Sequence, residues 1–160
     1  MNVLEDWRAT LALQEALRVG QWPEPLPDSR LYSGEPVFAL GPARLDQLRG
    51  LQLAYGTSNP STHAAAQHWA DVAVGTAYLT PQRVMVQSTQ EVSLGWLDLA
   101  ALYGKHDGVY FEYGTPGASV VTFCLRLESP MWWTTMIRAV AWRQATDAEP
   151  PDWVRRRLRR

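Results

Sequence analysis

The sequence predicts a mainly β fold with helices: an antiparallel β-sheet closed by a C-terminal helix and preceded by an amphipathic N-terminal helix. Three observations lead to this fold class. In the middle of the chain, apolar runs recur about every eight to twelve residues, separated by Gly, Pro, Asn and Asp. On either side of this region the apolar positions follow the helical period. The chain has 160 residues, 46% of them hydrophobic and 19% charged, which suits one folded domain.

Residues 1–33 are predicted to form a helix and a proline-rich strap. The apolar positions at helical spacing are Leu4, Trp7, Leu11 and Leu17. They predict an amphipathic helix over Val3–Val19, with Asn2 as its N-cap and Gly20 at its end. The three alternate prolines of residues 22–28 favour an extended course, because proline fixes φ and removes an amide donor.

Residues 34–146 are predicted to form the antiparallel sheet and the helix that closes it. The candidate strands are Pro36–Leu40, Leu51–Tyr55, Val74–Thr80, Arg83–Ser88, Glu91–Leu97, Ala101–Lys105, Val109–Tyr113 and Ser119–Leu127. Several alternate between apolar and polar residues, so one face of each is expected to be buried. After Ser129, which can act as a cap, the period changes and a strongly apolar helix is predicted from Pro130 to about Ala145. Residues 147–160 then form a separate basic tail with five arginines in its last six positions.

The segment Gly75–Val86, Gly-Thr-Ala-Tyr-Leu-Thr-Pro-Gln-Arg-Val-Met-Val, resembles the strand-turn-strand signature of the GRAM and bacterial pleckstrin-homology-like families. Gly34–Val37 also resembles the opening of such domains. The resemblance covers about residues 34–145 and implies a seven-stranded, strongly bent barrel with a C-terminal helix plugging one open end. The N-terminal helix and the long insert over residues 56–68 depart from the family pattern. Within the signature we expect Thr80 to shape the turn and Arg83 to lie over turn carbonyls.

Charge and cysteine content exclude several classes of function. The net charge of −1 provides no strong cationic field, which argues against a nucleic-acid partner. A single cysteine, Cys124, allows neither an intrachain disulfide nor a Cys-rich zinc site, so we expect a reducing cytoplasmic location. The sequence has no run apolar enough to cross a membrane. It also lacks the common nucleotide-binding, hydrolase and metalloprotease motifs, so no cofactor is expected and the protein is predicted not to be an enzyme.

Two groupings of reactive residues can be weighed against structural roles. His63, His68 and Asp71 are the nearest approach to a metal site, but their spacing fits neither a helix face nor a strand face, so a polar loop is predicted. Cys124 with His106 could form a nucleophile and base. However, Cys124 lies inside a strand without a helix N-terminus beside it, so an inert, half-buried thiol is predicted.

Three groups of residues are candidates for binding. Arg44 and Arg49 fall in the predicted loop between Leu40 and Leu51, where similar lipid-binding domains keep basic residues. Trp132 and Trp133 cannot face the same way on a helix, so we expect one in the core and the other near the barrel rim, as packing or as an anchor for a partner. The tail residues that could contact acidic lipid, nucleic acid or an acidic partner include Arg155, Arg156 and Arg157. Their alternative role is to solubilise a mobile tail.

These observations together favour a non-enzymatic, cytoplasmic protein-interaction or adaptor module that binds a protein partner. One alternative is a peripheral domain that binds anionic lipid through the tail together with Arg44 and Arg49, although contact through the tail should be weak. Another is a small-molecule enzyme that uses the polar insert at residues 57–68 as its active-site loop. The sequence identifies neither the partner nor the oligomeric state.

Overall fold

A computed structural model describes residues 2–31, 33–50, 67–114 and 120–159. Their elements, in chain order, are α1 (Val3–Arg18), β1 (Ala39–Arg49), β2 (His68–Leu79), β3 (Arg83–Gln87), β4 (Glu91–Gly95), β5 (Leu99–Lys105), β6 (Gly108–Tyr113), β7 (Val121–Leu127), α2 (Pro130–Trp142) and α3 (Asp152–Leu158). The prediction of a mainly β fold with an N-terminal and a C-terminal helix is therefore confirmed.

The strands form one antiparallel sheet in the order β4-β3-β2-β1-β7-β6-β5, which curls into a half-barrel. Strand β1 joins the two halves, because it pairs with β2 along its whole length and with β7 over Ala43–Gln47. A register shift between Leu45 and Asp46 marks a bulge in β1, and bulges bend a strand and increase its twist. This architecture is consistent with a pleckstrin-homology-like barrel.

Helix α2 packs against strands β5 and β6 of the curled sheet. The core cluster combines fully buried strand residues such as Leu45, Phe111 and Leu125 with Trp133 and Ile137 of α2. The apolar stripe seen in the sequence therefore does face the sheet. The helix ends at Trp142, a little before the predicted end, because Arg143 adopts a left-handed conformation with a φ of 53°.

One prediction about β1 is wrong. Residues 40–51, expected to be a loop, belong to β1 as far as Arg49, so Arg44 and Arg49 lie on a strand. Pro42 obscured this strand in the sequence. It is tolerated because β7 pairs only with residues 43–47 of β1, so β1 has an unpaired edge at the proline. The candidate strand at residues 51–55 lies outside the described residues.

The strap after α1 is fastened to the barrel by hydrogen bonds. The amide of Leu26 donates to the carbonyl of Val37 at 2.7 Å, and the amide of Phe38 donates to Leu79 at 2.8 Å. Arg83 does not lie over turn carbonyls as predicted. Its Nη2 instead donates to Glu35 Oε1 at 2.8 Å, because this carboxylate, just after the strap, is within reach and a charged pair outweighs neutral acceptors. Within the described ranges, no helix has the length and apolarity needed to cross a membrane.

Candidate functional site

A cleft of about 690 Å³ lies where the start of α1, the N-terminal end of α2, the β5–β6 turn and the segment before α3 come together. Its apolar walls include Val3, Trp7, Leu127, Pro130, Met131 and Trp153. Its ionisable residues are Asp6, Lys105, His106, Glu128 and Glu149. A cleft of this volume with apolar walls and a few polar groups has the usual character of a binding site.

The floor of the cleft is built by a cap that α1 supplies to α2. Ser129, predicted to cap α2, makes no side-chain cap bond. Instead the carboxylate of the buried Asp6 accepts hydrogen bonds from the amides of Met131 and Trp132, each at 3.0 Å. Burial raises the pKa of Asp6, while the two amide bonds partly oppose this change. The first-turn amides of α2 are fully engaged, because that of Trp133 donates to the Ser129 carbonyl.

One glycine and two tyrosines lie at or beside the β5 edge of the cleft. A Cβ on Gly104 would lie 2.6 Å from Thr134 Oγ1 and 3.0 Å from Met131 Sδ, so only glycine lets β5 approach α2 this closely. The rings of Tyr103 and Tyr110 stack at 5.2 Å. Burial and a hydrogen bond to Glu112 raise the pKa of Tyr103 to about 12, so this phenol stays neutral at physiological pH.

Lys105, the only lysine of the chain, is held at the rim of the cleft. Its Nζ lies 4.8 Å from the ring centroid of Tyr110 and 5.4 Å from that of Tyr103, distances at which a cation is attracted to an aromatic face. Within the described residues, Lys105 forms no ion pair. Its exposed ammonium group is therefore positioned by neutral rings and remains available to an anionic ligand.

Helix α3 borders the cleft on the other side. The sequence predicts a separate basic tail here, but the structure places a helix in it whose Val154 is fully buried and which contacts α1. Trp153 is 48% exposed and lines the cleft. Arg155 pairs with Glu149 at 3.3 Å and with Asp152. The exposed Arg156 and Arg157 have no acidic partner among the described residues.

The other predicted binding residues lie elsewhere. Arg44 pairs with Asp46 at 2.8 Å and also with Asp71, and Arg49 is exposed at the end of β1. Neither lines the cleft. Trp133 is in the core, whereas Trp132 is partly buried and lines a groove of about 300 Å³ that shares three residues with the cleft. Trp132 therefore lies next to the cleft, whereas Arg155, Arg156 and Arg157 belong to the helix that borders the cleft and do not line it.

Sequence reasoning missed a charged cluster on the sheet. The carboxylate of Asp46, 1% exposed, is shared between Arg44 and Arg126, and Arg126 Nε donates to it at 2.6 Å. Arg126 also pairs with Asp107. Residues 46 and 126 are 80 positions apart, so no local pattern could reveal the pair. Because these charges satisfy one another, the cluster has a structural role.

The described residues do not favour catalysis at the two reactive groupings considered from the sequence. Cys124 is fully buried and not half-buried as predicted, because it lies between the paired strands β6 and β1. Burial raises the pKa of its thiol, which opposes thiolate chemistry. His63 and nearly all of the 57–68 insert lie outside the described residues, whereas His68 and Asp71 belong to strand β2 and not to a polar loop as predicted, because this stretch pairs with β1. Across the parts of the chain that are described, no three acidic, His or Cys residues are grouped to hold a metal.

Comparison with known proteins leaves the function to be argued from this geometry. The sequence matches no model of a protein family and no curated protein sequence.

Proposed function

We propose that this chain is a non-enzymatic protein-interaction module with a pleckstrin-homology-like, GRAM-like fold, and that the cleft beside α3 receives a segment of a partner protein. The observation that carries the proposal is Trp153. Its ring is 48% exposed at the wall of the cleft, although the adjacent Val154 fixes the helix to the body. Exposed tryptophans on a fixed element are typical anchors of protein interfaces, because they bury a large area at little cost in entropy.

The chemistry of the cleft supports binding rather than catalysis. Asp6, the buried carboxylate, is held by two amides and cannot act as a base without breaking the cap of α2. The same bonds occupy the helix N-terminus that might otherwise stabilise an oxyanion. The thiol of Cys124 is fully buried and its pKa is raised. A cytoplasmic location is part of this proposal.

Peripheral binding to anionic lipid is the second candidate, because tryptophan beside arginine is favoured at a membrane interface. The overall charge argues against it. Without the five arginines of residues 155–160, the chain has ten basic and sixteen acidic residues, so its body carries a charge of −6. An extended anionic surface would repel this body. Arg44, the other basic residue invoked for lipid, is already paired with two carboxylates.

Selection from a random peptide library displayed on phage tests the proposal with the full-length protein. Peptides that bind should lose affinity for Trp153→Ala, because the variant removes the anchor. They should keep their affinity for the matched control Trp142→Ala. Trp142 is 37% exposed and contacts Trp96, but it does not line the cleft. Both affinities can be measured by fluorescence anisotropy.

Hydrogen exchange then locates the bound peptide. The proposal expects slower exchange at the start of α1, at residues 127–131 and at α3. If no peptides are enriched, or if those that bind do so equally well to Trp153→Ala, the cleft is not the docking site. Tight binding to phosphatidylserine vesicles at physiological salt, in the absence of peptide binding, would favour the lipid candidate instead.

A further inference from the structure

We infer that the partner segment is acidic, with a bulky apolar side chain flanked by Asp or Glu. This inference rests on the proposed function and specifies the chemistry of its ligand. It follows from an imbalance at and beside the cleft: the carboxylates that line it are engaged within the chain, whereas Lys105 at its rim and two arginines of the neighbouring α3 form no ion pair with the described residues.

The acidic side chains that line the cleft already have partners within the chain. Asp6 accepts two backbone hydrogen bonds at the floor of the cleft. Glu149 pairs with Arg155 at 3.3 Å, so these two charges offset each other at the rim. Glu128 also has an interaction of its own and is not free. A cationic ligand would therefore have to compete with contacts that the chain already makes.

The basic side chains at and beside the cleft are available to an anionic ligand. Lys105 lies over the rings of two tyrosines and forms no ion pair with the residues that the structure describes. Arg156 and Arg157 are exposed and form no ion pair with the described residues. They follow Trp153 by three and four positions, and residues with this spacing lie on one side of a helix. Trp153 lines the cleft, so Arg156 and Arg157 lie one helical turn beyond the apolar wall on which a partner would dock, although they do not line the cleft themselves.

At these positions the apolar contacts and the charged contacts have different roles in binding. The apolar walls and Trp153 provide most of the affinity, because burial of large apolar groups dominates interface energetics. The exposed cations select the partner and speed its association, since solvent-exposed ion pairs add little affinity individually. An acidic side chain on either side of the apolar anchor would meet Lys105 across the cleft and the arginines on α3.

The charge of the body favours a short peptide over other anionic partners. A membrane or a nucleic acid presents charge over a wide area and would face the body, which carries −6 without the terminal arginines. A short segment would contact only the cleft and the basic side chains beside it. The arginines of α3 can therefore attract such a segment without exposing it to the repulsion from the remainder of the molecule.

The test uses two synthetic peptides. One has a single tryptophan flanked by glutamates, and its control has glutamine in place of each glutamate. We expect the glutamate peptide to bind on the order of tenfold more tightly at low salt and to lose this advantage as salt rises. The double variant Arg156→Glu, Arg157→Glu should remove the advantage. Arg30→Glu, Arg49→Glu is the matched control, because it changes the net charge equally at exposed arginines away from the cleft.

Failure of this inference differs from failure of the proposed function. If selected peptides bind at the cleft, are weakened by Trp153→Ala, and show neither an acidic excess nor a salt dependence, the acidic partner is overturned and the docking site stands. If both double variants weaken the glutamate peptide equally, only net charge matters and the inference also fails. If anionic vesicles or DNA bind tightly through Arg156 and Arg157 while no peptide binds, both proposals are wrong.

Discussion

Gly75 on β2 lies so close to β3 that there is no room for a side chain. A Cβ at this residue would collide with the backbone carbonyl of Gln87 on β3, and a backbone carbonyl cannot swing aside as a side chain can. We predict that Gly75→Ala lowers the free energy of unfolding by about 1–3 kcal/mol, as overpacking does. Urea denaturation measures the change.

The control for Gly75 is Gly41→Ala. A Cβ on Gly41 would have Trp133 Cζ2 as its nearest neighbour, at an ordinary contact distance of 3.9 Å. This substitution should change the stability by less than about 1 kcal/mol. Equal effects of the two alanines would show that β2 and β3 are not as close as described. The glycine that opens the segment Gly75–Val86 would then have another role.

Asp46 is predicted to make the protein sensitive to acid. Burial alone would raise its pKa, but hydrogen bonds from Arg44 and Arg126 outweigh burial and hold the pKa below its ordinary value of 3.8. A carboxylate with a lowered folded-state pKa stabilises the fold above its unfolded-state pKa and loses this contribution as the pH falls through the folded value. Removing the carboxylate should therefore matter most near neutral pH.

We expect Asp46→Asn to lower the free energy of unfolding by about 1–3 kcal/mol at neutral pH. The difference from the wild type should shrink below about pH 4, because the wild-type carboxyl is then increasingly protonated. Urea denaturation over a pH series measures this. Glu24→Gln serves as control, since Glu24 is exposed and has no ion pair within the described residues. A difference that is constant with pH would refute the assignment.

At the scale of elements, α2 depends on α1 for its N-cap. We predict that Asp6→Ala lowers the free energy of unfolding by about 1–2 kcal/mol, because it leaves the amides of Met131 and Trp132 without their acceptor. Hydrogen exchange should become faster at these two amides in particular. Arg8→Ala, at an exposed position of the same helix, should leave both unchanged. If Asp6→Ala also leaves them unchanged, the cap does not form in solution.

The apolar face of α2 is predicted to hold the half-barrel together. Ile137 is fully buried in the core cluster, so Ile137→Asp places an unpaired carboxylate there and should cost several kcal/mol, a large part of a domain's stability. Ile137→Val should cost only about 0.5–1.5 kcal/mol, since it removes one methylene. Thermal unfolding compares the two. A melting temperature that is unchanged in Ile137→Asp would show that α2 does not pack on the sheet.

Sequence reasoning could find the elements whose own residues carry a clear pattern. Helices α1 and α2 and the strands from β3 to β7 have clear periodicity and turn residues, and they are present with small shifts at their ends. Strand β1 was missed beyond Leu40, because its proline and polar residues resemble a loop until β2 and β7 are known to flank it. Its pairing depends on residues far away in the sequence.

The cleft could not be predicted for the same reason. Trp132 and the arginines of α3 were recognised as candidates from the helical pattern and from the basic run at residues 155–160, but none of them lines the cleft. Trp153, which does line it, was not a candidate, because only its position beside the first turn of α1 makes it part of a site. Asp6 and Met131, which define the floor, are 125 residues apart. Only the folded chain brings them together.

For the whole molecule, a chain ending at Pro151 is an informative truncation. It removes Val154, whose side chain is fully buried, and we expect a loss of about 1.5–3 kcal/mol in the free energy of unfolding. The sheet and α2 should still form, because the core cluster contains no residue of α3. Circular dichroism during urea denaturation measures both effects. Peptide binding should be lost, because Trp153 is absent.

A chain ending at Leu158 is the control for this truncation, since it keeps α3 and removes only the last two arginines. Its stability should equal that of the full chain within about 0.5 kcal/mol. If both truncations were equally stable, α3 would not be packed against the body, and its arginines would belong to a detached tail.

The cap that Asp6 supplies to α2 also affects how the protein matures on the ribosome. Helix α1 is translated first, yet its carboxylate gains its amide partners only after Met131 and Trp132 have been translated. Contacts between such distant parts of a chain form late, because the intervening loop must close first. Until then the nascent chain carries an amphipathic helix with no surface to pack on, and such surfaces recruit chaperones or aggregate. Residues as far as Trp132 must therefore be translated before this domain can reach its final state.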